Sequence, residues 1–191
     1  MMELNNIQKD MLKEVGNIGI GHAATALSKL VNKQVNIDLP DLTIRTIEDL
    51  TANCPAGYLI NCSIHGEIEG NLAFIFTKED VLRIAEILTM SEKGSIKAID
   101  EMSKSALSEL VNILSGAYLS SLSDFIGFNL MPNPPMFIDG NICDAIKLII
   151  EEGQEILEVQ TTFIIAEDNV SSRMCLILPK EGMDKIINAL S

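Results

Sequence analysis

The sequence contains no tryptophan, and aromatic residues make up only 4% of its 191 positions. A surface that stacks nucleic-acid bases needs such rings. Basic residues are also scarce: 14 Lys and Arg stand against 27 Asp and Glu, for a net charge of −13. That charge repels a phosphate backbone and an anionic bilayer, so neither nucleic acid nor membrane is an expected partner. No window holds about 18 apolar residues in a row, which excludes a spanning helix. The start, Met1-Met2-Glu3-Leu4-Asn5-Asn6, has neither the basic nor the apolar block of a secretory signal, so a cytoplasmic location is expected. The four cysteines, Cys54, Cys62, Cys143 and Cys175, form no CxxC pair, and the two histidines, His22 and His65, are far apart. A tetrahedral metal set needs closer spacing, so no metal site is expected and the cysteines read as free buried thiols.

What is present suits one folded domain over residues 1–191. Apolar residues are 47% and charged residues 21%, which excludes disorder. Periodicity predicts a long helix from about Asn5 to Val31, with Leu4, Met11, Val15, Ile18, Ala26 and Leu30 on its apolar side. Short strands follow near Gln34–Leu39 and Leu42–Ile47, then a hairpin of Tyr58–Glu67 and Asn71–Thr77. A helix at Asp80–Met90 and a polar connector lead to a second long helix, about Asp100–Ile126. Its apolar side carries Ala106, Leu107, Leu110, Ile113, Leu114, Ala117 and Phe125. Pro132-Asn133-Pro134-Pro135 forces an extended stretch. A short helix within Ile138–Ile150, strands at Glu155–Ala166 and Arg173–Leu178, and a helix at Glu181–Leu190 complete the chain.

This order repeats. At an offset of 95, Glu14, Asn17, Ile18, Gly21, Leu27, Ser28 and Pro40 fall on Glu109, Asn112, Ile113, Gly116, Leu122, Ser123 and Pro135. The expected fold is therefore α+β: an internally duplicated, pseudo-twofold domain with repeats of about 1–95 and 96–191. An antiparallel β-sheet would pack with two long motif-bearing helices and shorter helices.

Residues three or four apart share a helix face. Asp10, Glu14, Asn17, Gly21 and Ser28 form one polar stripe, and Ser105, Glu109, Asn112, Gly116 and Ser123 form another. Asn and Gly weaken a helix interior, Gly by about 1 kcal/mol. A single stripe could be a solvated face. Two matching stripes argue for docking: a carboxylate beside an amide, then a glycine where another backbone can approach. His22 projects to the predicted apolar side, so packing or a subunit contact is expected of it. Gly16-Asn17-Ile18-Gly19-Ile20-Gly21 lies inside the helix and lacks a phosphate-loop lysine, so it is not read as a nucleotide site.

These residues resemble the CheC-type chemotaxis phosphatases, the family of CheC, CheX and FliY. The family pattern reads here as Asp10-x3-Glu14-x2-Asn17-x22-Pro40 and again as Ser105-x3-Glu109-x2-Asn112-x22-Pro135. Both copies are intact, which is most like the CheC branch. The resemblance implies hydrolysis of the aspartyl phosphate of the response regulator CheY, with Glu14, Asn17, Glu109 and Asn112 catalytic. Asp10, Gly21, Ser105 and Gly116 would contact the partner. It implies no cofactor beyond the divalent metal carried by the receiver domain. It also implies a second partner, the receptor deamidase CheD, with Asp139 as the candidate contact, although Asp139 beside Gly140 also reads as a helix cap. A non-catalytic adaptor and a structural subunit of a motor or receptor assembly are the alternatives.

Overall fold

The computed structural model describes residues 5–38, 41–52, 56–138, 140–150 and 156–190. Pro40, Cys54 and Asp139 lie outside them. Helix α1 (Asn6–Val31) starts at a reciprocal cap, in which the Asn5 side chain accepts from the Gln8 N–H at 2.9 Å and the Gln8 side chain from the Asn5 N–H at 3.0 Å. It stops at Asn32, whose φ of 51° no helix continues. Strands β1 (Val35–Ile37) and β2 (Asp41–Arg45) follow, then helix α2 (Ile47–Thr51), hairpin β3 (Gly57–Gly66) and β4 (Gly70–Thr77), and helix α3 (Lys78–Leu88). Helix α4 (Glu101–Ile126) is capped by Asp100, which accepts from the Ser103 N–H, and ends at Gly127 with φ 75°. After it come β5 (Leu130–Pro132), β6 (Met136–Ile138), α5 (Ile142–Ile149), β7 (Ile156–Ile165), a 3-10 turn at Ala166–Asp168, β8 (Val170–Pro179) and α6 (Lys180–Leu190). The sequence reading missed α2, which is only five residues long, and took β5 and β6 for plain extended chain.

Both halves thus run helix, two short strands, short helix, hairpin, helix. The antiparallel sheet has the order β1-β7-β8-β4-β3-β5, with β2 also on β7 and β6 also on β3. The short strands are exchanged: β1 and β2 lie end to end on β7, and β5 and β6 lie end to end on β3. The hairpins meet where β4 pairs with β8, from Asn71↔Ile177 to Ile75↔Arg173.

Alternation along each strand sends side chains to opposite faces. Ile60, Cys62, Leu72, Phe74, Phe76, Phe163, Met174 and Leu176 join the core beneath α1, α3, α4 and α6. Leu59, Ala73, Ile156, Cys175 and Ile177 face α2 and α5.

The buried side of α1 differs from the expected one. Leu12, Ile20, Ala23, Leu27 and Val31 are buried, whereas Met11, Ile18 and Ala26 are only half-buried and Leu30 is exposed. The reason is the neighbour. Helix α4 presses so close that a Cβ on Gly19 would stand 2.6 Å from the Tyr118 ring. The interface uses glycine and alanine, which a search for bulky side chains overlooks. On α4, Leu107, Leu110 and Leu114 are buried as expected, with Val111, Tyr118 and Leu119 added, but Phe125 is exposed.

An ionic buckle ties the layers. Asp168, almost fully buried, accepts from Arg83 at 3.0 and 2.5 Å and faces Lys33 at 3.1 Å; Arg83 also binds the buried Glu86 at 3.0 Å. The Arg83 and then the Lys33 hydrogen bonds hold the Asp168 carboxyl below its ordinary value. Cys62 and Cys175 are free, buried thiols, and burial pushes both upward. Cys143 is disulfide-bonded, which corrects the expectation of four free thiols. Spacing in sequence does not by itself reveal which cysteines are bonded.

Two outcomes are expected. Gly19→Ala should lower unfolding stability by about 2 kcal/mol in denaturant titration, because the Tyr118 ring has to give way. Asp168 has a depressed folded value, so its contribution is full above the ordinary carboxylate range and disappears as pH falls through the lowered one. Asp168→Asn should therefore destabilise by about 2 kcal/mol at neutral pH, and the gap to the unmodified protein should shrink in acid, read by thermal melts across pH.

Candidate functional site

Glu14 and Asn17 are three residues apart, roughly 4.5 Å along the helix axis, and Gly21 follows one turn later. Asp10, Glu14 and Asn17 are all exposed, on a side of α1 that meets neither the sheet nor α4. Ser105, Glu109 and Asn112 stand equally exposed on α4. Among the described residues none of the four Glu and Asn side chains is held by a hydrogen bond or ion pair. They are free to engage a partner. The two pairs ride on helices packed against each other, each 26 residues long.

The glycines separate into two kinds. Gly19 is required by the α1–α4 contact. A Cβ on Gly21 or on Gly116 would meet nothing within 4 Å. Among the described residues, packing therefore does not account for either glycine. Open space beside an amide, at the same place on both helices, admits a second backbone.

Other members of the predicted stripes serve the fold instead. Ser28 donates to the Lys33 carbonyl at 2.6 Å, and Ser123 accepts from the Leu130 N–H at 3.1 Å, each closing the end of its helix. His22 is exposed rather than packed into an apolar side, and it lines a groove of about 440 Å³ with Ile18, Ala117, Ser120, Ser121, Asp124 and Phe125. The sequence reading missed this groove. One signal was present: Phe125, which lines it, pairs with Leu30 at the 95-residue offset.

Asp10 joins the first pair on the same stripe, where the second has Ser105. Among the described residues no cluster of His, Cys, Asp or Glu is placed to hold a metal ion, and no helix is long and apolar enough to cross a membrane.

The fold and the paired stripes define an α+β domain that displays two exposed carboxylate–amide pairs on adjacent helices. Comparison with known proteins narrows the class. A model of the CheC-like family matches residues 7–44, and one of the chemotaxis phosphatase CheX matches residues 58–145. The chain is 30% identical over 196 aligned positions to the CheY-P phosphatase CheC of Bacillus subtilis, covering 96% of this chain and 93% of that one. The crystal structure of Thermotoga maritima FliY superposes with a TM-score of 0.81 at 23% identity over 98% of both chains. The CheX in a CheX–CheY–BeF3–Mg complex from Borrelia burgdorferi superposes at 0.58 and 20% identity, over 85% of this chain and 96% of that one. This chain belongs to the CheC-like family of chemotaxis phosphatases.

Because Gly21 and Gly116 face open space, replacing either with alanine should stabilise the fold by about 0.5–1 kcal/mol through helix propensity alone. A rise of a few degrees in the melting temperature would register it, and a fall would show a packing role instead.

Proposed function

We propose that this protein is a phosphatase that hydrolyses the aspartyl phosphate of the response regulator CheY at two sites, Glu14 with Asn17 and Glu109 with Asn112. The observation that carries this reading is the pair of exposed, unengaged Glu/Asn couples, each followed by a glycine with open space above it. The 30% identity to a CheY-P phosphatase supports it along nearly the whole chain. So does the likeness of fold to a CheX solved with CheY.

The chemistry needs few groups from this chain. An acyl phosphate is already activated, and phosphoryl transfer responds mainly to positioning and electrostatics. The receiver domain brings its own divalent metal and lysine; this chain has no cofactor of its own in the reaction. The Asn17 amide, or Asn112 on the other helix, orients a water in line with the phosphorus. As the water oxygen bonds to phosphorus, the bond to the receiver's aspartyl oxygen breaks, releasing inorganic phosphate and a free carboxylate. The attacking water's proton leaves with the phosphate product. Glu14 or Glu109 pairs with the receiver's lysine and fixes the helix in the cleft, while Asp10 or Ser105 and Gly21 or Gly116 fit against the receiver's backbone.

The same reading takes the matching halves as an internal duplication fused into one domain, which accounts for the site occurring twice. It places the protein in the cytoplasm beside its partners. The receptor deamidase CheD is proposed as a second partner. Asp139, its candidate contact, lies outside the described residues.

Decay of phosphorylated CheY with this protein present provides the test. Faster decay is expected. Asn17→Ala or Asn112→Ala alone should leave part of the acceleration, and the double substitution should remove nearly all of it, a loss of roughly 100-fold or more per site. Unaltered decay with the unmodified protein, together with CheY binding that survives both substitutions, would make it an adaptor.

A further inference from the structure

Nine large apolar side chains are exposed among the described residues, and four of them form two pairs 95 positions apart: Ile7 (71%) with Met102 (68%), and Leu30 (40%) with Phe125 (44%). An unpartnered apolar side chain is common on a surface. Two pairs at the same offset as the Glu/Asn couples are a pattern. Ile7, Glu14 and Gly21 recur every seven residues, so they drift by only about 20° per step around the helix and share one line. Ile7 therefore sits on the outward line of the first couple, two turns ahead of Glu14. Phe125 arrives from the other helix. With Asp124 it forms one wall of the 440 Å³ groove whose opposite wall is Ile18 and His22 of α1. Ile18 is one turn from Glu14 and adjacent to Asn17, so the groove runs along the flank of that couple.

We propose that Ile7 and Phe125 are the apolar anchors that seat the receiver domain on the first Glu/Asn couple, with a receiver side chain entering the groove between His22 and Asp124. This rests on the reading of Glu14 and Asn17 as a receiver-docking pair. A carboxylate and an amide aimed at a charged cleft set orientation, but their desolvation offsets most of what they gain. Affinity at such a face comes from a few desolvated apolar or aromatic side chains beside the polar contacts. Ile7 lies at one end of the couple and Phe125 across its flank, on a surface continuous with it. Asp10, Glu14 and Asp124 make that surface acidic, which suits a partner that presents a lysine. The occupant is therefore the receiver already engaged by the couple. The residues 95 positions from His22, Asp124 and Phe125 are Ala117, Lys29 and Leu30, with a smaller anchor and the opposite charge. The first couple accordingly carries the stronger anchor.

Charge reversal isolates each couple: Glu109→Arg leaves the first available for docking, and Glu14→Arg leaves the second. Two readouts are taken, binding of beryllofluoride-activated CheY by titration and hydrolysis of phosphorylated CheY. In the Glu109→Arg background, Phe125→Ala should weaken binding and raise KM by roughly tenfold, with kcat within about twofold, while Phe125→Leu restores most of the loss. Ile7→Ala should act in the same direction. The loss should be confined to that background. Unchanged binding, or an equal loss in the Glu14→Arg background, overturns the proposal, as does a dimer in light scattering that Phe125→Ala disperses. Hydrolysis absent from the unmodified protein, with binding still dependent on Phe125, would sink the phosphatase reading and leave the anchors standing.

Discussion

Helix α1 can lie against α4 because Gly19 offers no side chain to the Tyr118 ring. The rest of the site depends on that contact. It draws the two longest helices into one layer, with Leu12, Ile20, Leu27, Leu107 and Leu114 turned inward to the core and the Glu/Asn couples turned outward. A close-packed layer cannot adjust by small amounts. Both couples are therefore displayed on a close-packed platform, which suits the catalysis by positioning proposed for them.

The sheet beneath reinforces the platform by exchange. The short strands of each half complete the hairpin of the other, β1 and β2 on β7, and β5 and β6 on β3. Neither half has its full set of strands by itself. The Arg83–Asp168–Lys33 buckle adds a second link, from α3 and the turn before β8 to the chain just beyond α1. In the proposed mechanism such stiffness replaces chemical equipment. The receiver contributes the metal and the lysine, and this chain contributes geometry.

The long-range negative charge looks at first like an obstacle to a phosphorylated partner. A net −13 disfavours an extended phosphate backbone because every added phosphate adds repulsion. A single phosphoryl group, held with its own cations in a receiver cleft, is a different target. In the proposed docking the carboxylates of Glu14 and Glu109 meet a cation there, and the exposed apolar residues beside them supply the contact area.

Much of the candidate site's layout was legible in the chain, for a physical reason. Spacing along a helix is local: a rise of about 1.5 Å and a turn of about 100° per residue place Glu14, Asn17 and Gly21 on one face whatever surrounds them. The extents of α1 and α4, the two hairpins and the recurrence at 95 follow from the same local rules. The direction in which that face points is not local. Met11, Ile18 and Leu30 looked like the core side of α1, but the tertiary fold buried the glycine and alanine side, since a neighbouring ring fits only where side chains are small. His22 and Phe125 were assigned to apolar sides and emerge as walls of an open groove. The pairing of the short strands likewise joins residues remote in sequence. The sequence by itself determined which groups stand one turn apart. Only the tertiary structure decided which of them meet the core and which meet another molecule, because burial depends on the shape of the surface opposite.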